Sequence, residues 1–248
     1  MKPIHIAAAA AVLALAACND KNQPSGAAAS SQEVTITQAA PPPGGDWTDV
    51  VNATPDGTMM GNPKAKVKLL EIASLGCPFC KKFEDEGASH LLELVKSGKI
   101  SWEFRPYVIH GPIDMAANLI VHCNGLKTFF PLMKALYKDQ RVWMGKAEAA
   151  PRKKLEELQN LPTNHVFVAM ASLVGLQDWA AARGVPVAKS NQCLSNQQMI
   201  DHEVQVTSNV NTQFPDFKGT PSFAINGTFL PDSGSWDKLK PQLEAALK

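Results

Sequence analysis

The feature that most restricts this chain is a β-like run, Val67 to Ala73, apolar apart from Lys68 and Glu71. It leads through Ser74-Leu75-Gly76 into Cys77-Pro78-Phe79-Cys80, and a helix-like segment follows from Lys81 to about Ser97. Near-continuous apolar character marks a central strand covered on both faces. Two cysteines with two residues between them can close a small disulfide ring across one helical turn. At a strand-to-helix junction the first of them also stands at the helix N-terminus. Unpaired N–H groups and the positive end of the helix dipole there favour a thiolate over a thiol. A stabilised thiolate is a good leaving group and makes the matching disulfide a stronger oxidant. The pattern points to thiol–disulfide exchange, with Cys77 as the exposed nucleophile and Cys80 as the more buried resolving partner. An inert disulfide or half of a zinc site are the bland alternatives. Zinc needs two further ligands, yet Cys123 and Cys193 are isolated, and His110, His122, His165 and His202 show no ligand spacing. No metal and no other cofactor is called for.

Glu71 is out of place in such a strand, because a buried carboxylate is costly unless paired or protonated. Its position shortly before Cys77 marks it as a proton acceptor for Cys80 during exchange. Periodicity alone also admits a strand-end carboxylate facing solvent.

At 248 residues the chain suffices for one large domain or two small ones. Its formal charge is +1 and its basic residues are scattered, which argues against a nucleic-acid partner. Lys2 and His5 precede an apolar run, Ile6 to Ala17, too short to span a bilayer, so residues 1–17 are expected to be an export signal. Leu15-Ala16-Ala17-Cys18 resembles a bacterial lipoprotein box, which implies removal of the signal and a lipid on Cys18. Ordinary cleavage after Ala16 is the competing reading. Residues 18–45, rich in Ala, Ser, Gln, Pro and Gly, are expected to form a lipidated flexible tether. Export would place the folded part in an oxidising compartment, where disulfides persist.

The folded part begins with a short extended segment at Asp46–Val51, then turns at Pro55-Asp56-Gly57 and Gly61-Asn62-Pro63 before the central strand. Ile100 to Val108 alternates and reads as another strand. From Pro112 to Val210 the chain breaks into helical pieces: Pro112 to Asn124, Lys127–Gln140, Glu148–Leu158, Asn164–Val174, Gln177–Arg183, Pro186–Leu194 and Asn196–Val210. Strands resume in Gly219–Ile225 and Thr228–Leu230, joined by the hairpin signal Asn226-Gly227, and Trp236 to Leu247 is an amphipathic helix. The expected organisation is an α/β fold in which residues 46–111 and 211–248 supply two parts of one sheet domain. Residues 112–210 form a mostly α-helical insertion between them.

With Glu71, Ser74, Cys77-Pro78-Phe79-Cys80, Phe83 and Gly219-Thr220-Pro221-Ser222-Phe223 in view, residues 59–248 resemble the DsbA family of bacterial periplasmic thiol–disulfide oxidoreductases. The resemblance implies a thioredoxin-like fold with a helical insertion. It also implies a cis peptide bond before Pro221, where base rates alone favour trans, and substrate binding along Thr220 and Pro221 in the manner of strand addition. Its partners would be exported proteins with cysteine thiols and a DsbB-type membrane quinone oxidoreductase that reoxidises the pair, and its location would be the periplasm. Once Cys18 takes lipid and Cys77 and Cys80 the exchange, the five cysteines leave Cys123 and Cys193 as a pair, and some family members carry a structural disulfide within the insert. Two buried free thiols are the alternative. DsbA itself has histidine where this chain has Phe79, which removes one stabiliser of the Cys77 thiolate. Threonine before the proline also occurs in isomerase-type relatives, but those need an N-terminal dimerisation domain that residues 19–45 cannot supply. A monomeric oxidase is therefore expected, with an isomerase or reductase kept reduced by a membrane donor, or a non-redox peptide-binding holdase, as rivals.

Overall fold

Six strands form a mixed sheet: β1 (Val51–Ala53), β2 (Thr58–Gly61), β3 (Val67–Ala73), β4 (Ile100–Pro106), β5 (Ser222–Ile225) and β6 (Thr228–Leu230). Their order is β1-β2-β4-β3-β5-β6, with β3 and β4 parallel and the other neighbours antiparallel. The computed structural model describes residues 41–43 and 45–248. The expected export signal 1–17, Cys18 and nearly all of the tether 18–45 lie outside the described residues.

The period of two along β3 sorts its side chains between two cores. Leu69 and Ala73 join Phe83, Leu91 and Val95 of helix α1 (Pro78–Lys96). Ile72, on the opposite face, packs with Val210, Phe214 and Ala224. Phe83 carries the contact across α1 to β5 and to the last helix, α10 (Trp236–Leu247), with ring centroids 4.6 Å from Phe223 and 6.5 Å from Trp236. Full burial of such a side chain contributes about 2–3 kcal/mol. Gly87 permits that approach, since a Cβ there would lie 3.0 Å from the Trp236 ring. The β5–β6 hairpin turns on Asn226 and Gly227, both at positive φ. Asn226 also ties the hairpin to the start of β3, its Oδ1 accepting from the Lys68 N–H at 2.8 Å.

Between β4 and β5 the chain forms eight helices among the described residues: α2 (Pro112–His122), α3 (Leu126–Lys138), α4 (Gln140–Glu148), α5 (Arg152–Gln159), α6 (Thr163–Leu173), α7 (Leu176–Ala181), α8 (Val187–Leu194) and α9 (Gln197–Gln213). A disulfide joins Cys123, just after α2, to Cys193 in α8, with S–S 2.16 Å and Cα–Cα 5.7 Å.

Three local features differ from the sequence expectation. Asp46–Val51 is extended only at its ends: Trp47–Asp49 is a 3-10 turn closed by a capping box, in which Asp46 Oδ1 accepts from the Thr48 N–H and Asp49 Oδ2 from the Asp46 N–H. The stretch between the two turn signals is strand β2, too short to show a period. Its hairpin with β1 packs against β4 because Gly57 has no Cβ to collide with the Phe104 carbonyl. Helix α4 fills a gap between expected helices, where Gly145 weakens the local helix signal.

Candidate active site

Cys77 is the N-cap residue of α1, with φ −75° and ψ 124°, and Pro78 opens the helix. Proline suits that first position because it has no N–H to leave unpaired and its φ is already helical. Cys80 then lies on the buried face of α1, one turn in from Cys77, and is 0% exposed. Both thiols are free.

The expected exposed nucleophile is instead nearly covered: Cys77 is 4% exposed. The loop before β5, which holds the cis Thr220–Pro221 bond, reaches it: the Thr220 carbonyl lies 3.3 Å from Cys77 Sγ, accepting from the thiol. Phe79, between the cysteines, is 67% exposed and marks the open side of the site.

The two sulfurs differ sharply in acidity. The Cys77 thiol is pulled down to about 5, first by the hydrogen bond from Cys80. Burial opposes this, while the Thr220 side chain and the backbone N–H groups of Cys80 and Phe79 add to it. Those two N–H groups belong to the first turn of α1, where no helical carbonyl claims them. Burial, reinforced by the neighbouring Cys77, pushes Cys80 far above the ordinary thiol range. The Thr220 Oγ1 is buried with no other partner and lowers both thiols. Such a pair is poised so that Cys77 leaves readily as thiolate while Cys80 returns as thiol.

Glu71 faces the main core from β3, 2% exposed, so the solvent-facing alternative does not hold. Its Oε2 accepts from Trp102 Nε1–H at 2.9 Å. Burial, then the charge of Glu84, pushes its carboxyl up to about 8. Glu84, in α1, is itself pushed up to about 7 by burial. Among the described residues no hydrogen bond joins Glu71 to either sulfur.

Residues that the sequence reading did not single out hold the loop leading to Cys77. Asp114, fully buried near the start of α2, accepts from Ser74 Oγ at 2.6 Å and from the Gly76 N–H at 3.2 Å. Tyr137 Oη donates to the Ser74 carbonyl at 3.2 Å. Gln140 Nε2 donates to the Leu75 carbonyl at 2.7 Å and the Cys77 carbonyl at 2.9 Å. An acid following Gly111-Pro112 signals a helix start, but nothing local in the sequence ties these side chains to Cys77. No group of three His, Cys, Asp or Glu side chains is placed to hold a metal among the described residues. Nor is any helix among them long and apolar enough to cross a membrane.

This arrangement can be set beside known proteins. A family profile described as Thioredoxin matches residues 53–245. The chain belongs to the thioredoxin family. Within that family its structure is similar to the crystal structure of protein-disulfide isomerase from Novosphingobium aromaticivorans, at 34% identity and TM-score 0.73, covering 77% of this chain and 96% of the other. Wolbachia pipientis α-DsbA1 shares the fold at 20% identity and TM-score 0.62, over 79% and 92% of the two chains. A Rickettsia prowazekii (strain Madrid E) protein with the provisional name protein-disulfide oxidoreductase is 25% identical over 191 residues, 76% of this chain and 61% of its own length. This thioredoxin-family chain spans about 60% of the length of the first curated relatives it matches. Its fold is thioredoxin-like of the DsbA kind, the helical insertion lying between β4 and β5.

Proposed function

We propose that this thioredoxin-family protein is a thiol–disulfide oxidoreductase that introduces disulfides into exported proteins by exchange through Cys77 and Cys80. The observation that carries the proposal is the asymmetry of the pair: Cys77 at the α1 N-cap drawn down to about 5, Cys80 buried and pushed up. The relatives named as disulfide oxidoreductase and isomerase support the same chemistry.

The cycle begins with the Cys77–Cys80 disulfide. A substrate thiolate attacks Cys77 Sγ, forming a mixed disulfide as the Cys77–Cys80 bond breaks, and the electron pair leaves on Cys80, which takes a proton. A second substrate thiolate attacks the substrate sulfur of the mixed disulfide and displaces Cys77 as thiolate. The substrate has lost two electrons to the pair, now reduced. In this proposal Glu71 exchanges the proton of Cys80, and Thr220 and Pro221 line the substrate beside Cys77 Sγ. A DsbB-type membrane quinone oxidoreductase would return the electrons to quinone. The N-terminal sequence supports periplasmic placement on a lipid carried by Cys18.

The oxidised protein, mixed with a reduced peptide carrying two cysteines, is expected to oxidise it stoichiometrically. Cys77→Ser should abolish the reaction, and Cys80→Ala, given a peptide that already carries a disulfide, should attack it through Cys77 and accumulate a mixed disulfide that no second cysteine resolves. Retained turnover in Cys77→Ser would refute the assigned roles. The isomerase name of the 34% identical neighbour favours a second reading, a pair kept reduced by a membrane donor. A pair found mostly reduced in the cell would select it.

A further inference from the structure

We infer that Gln140 is a positioning residue for Cys77, its side-chain amide clamping the carbonyls of Leu75 and of Cys77 itself so that the helical insertion sets the geometry of the redox turn. The inference deepens the proposed exchange function and rests on it only for the catalytic consequence.

The backbone of the loop before Cys77 is tied down from several directions. The Ser74 carbonyl accepts from the Cys77 N–H at 3.1 Å as well as from Tyr137. The Cys77 carbonyl accepts from the Lys81 N–H at 3.1 Å, the first bond of α1, as well as from Gln140. Ser74 and Cys77 therefore each keep a backbone partner without the insertion. Leu75 does not. It is 0% exposed, and Gln140 Nε2 is the partner of its carbonyl among the described residues. Gln140 is itself 4% exposed, so water cannot readily replace it.

One amide nitrogen bonded to the carbonyls of residues 75 and 77 holds the 75–76 peptide plane, one residue short of Cys77, and the 77–78 plane that follows it. Held this way, the loop sets where Sγ lies relative to Cys80 and to the free N–H groups of Cys80 and Phe79, which add to the Cys80 hydrogen bond in favouring the thiolate. Without the amide, the Leu75 carbonyl is orphaned and its plane rotates toward any donor, carrying the N-cap with it. Gln140 is the first residue of α4, so the insertion reaches the nucleophile through that helix.

The test uses Gln140→Met, which keeps length and volume but removes the donor, with Trp143→Phe as comparison. Trp143 lies on the same helix, is buried, and donates to the Leu136 carbonyl rather than to the loop. Titration of the reduced proteins by ultraviolet thiolate absorbance should place the Cys77 midpoint of Gln140→Met higher by about one pH unit, with Trp143→Phe unmoved. An unmoved midpoint in Gln140→Met, or equal movement in both variants, overturns the inference. Should Gln140→Met fail to fold, the wild-type protein with 15N-labelled glutamine decides: the side-chain amide protons of Gln140 should shift with the Cys77 titration, and a flat response overturns the clamp. Both readouts need no substrate. A wild-type protein that oxidises no dithiol peptide, yet shows the midpoint difference, loses the exchange function and keeps the clamp. Peptide oxidation with no difference has the reverse meaning.

Discussion

Replacing Glu71 by Gln should change how stability depends on pH. Glu71 is buried on β3 with its carboxyl pushed up to about 8, against 4.5 for the ordinary group. The folded protein therefore holds a proton that the unfolded chain releases as pH rises past 4.5. The contribution of Glu71 to stability is fully present below that pH and is lost progressively until pH passes about 8. The gap between the two values sets a ceiling of about 5 kcal/mol on the loss, with about 3 kcal/mol of it incurred by about pH 7. Gln at this position cannot ionise, and its amide oxygen still accepts from Trp102 Nε1–H. In urea unfolding of the reduced proteins, Glu71→Gln and wild type should differ little near about pH 4. The variant should gain on wild type by about 3–5 kcal/mol toward about pH 9. A difference that stays constant across that range would refute the reasoning, because it would mean the carboxyl ionises in the fold as it does in water. Glu84→Gln should narrow the gap, since the charge of Glu84 is the second cause of the shift.

In the reduced protein, thiolate absorbance should appear with a midpoint near 5 and vanish in Cys77→Ser, while Cys80 should contribute none below the ordinary thiol range. The lowered Cys77 value adds stability to the reduced fold that is complete above the unfolded value of 9.0 and lost as pH falls through about 5, so acid should destabilise the reduced form more than the oxidised one. Replacing Cys123 and Cys193 together by Ala opens a loop whose ends are 70 residues apart. It should lower unfolding free energy by up to about 4 kcal/mol while leaving the Cys77 midpoint in place, which urea unfolding and thiol titration measure on the same sample.

Much of the site was legible because its residues lie in one short stretch with a strong period. The apolar run predicts β3, the cysteine spacing predicts an N-cap thiol, and Asn226-Gly227 predicts the hairpin that brings Thr220 and Pro221 to Cys77. What stayed hidden is long-range and polar. Asp114, Tyr137 and Gln140 stand 38 to 65 residues from the loop atoms they bind, and an Asp in a first helical turn or a Gln on a short helix looks the same whether it meets solvent or a buried carbonyl. The contact on Cys77 was missed for the same reason, since it is made by the Thr220 carbonyl, a main-chain atom that every residue possesses. Helix α4 escaped because its stability comes from Gln140 and Trp143 packing inward, and a stretch containing Gly145 does not reveal that.

The order in which a ribosome makes this chain gives the Ser74–Cys77 loop an awkward history. Strand β3, α1 and β4 are complete before the insertion exists, so the parallel pair and the first helix can associate early through contacts close in sequence. The Leu75 carbonyl must then wait until residue 140 has been added. A nascent chain stopped before that point would carry both cysteines with the Leu75 carbonyl still unpartnered. The finished shape of the redox turn is thus a late event in maturation.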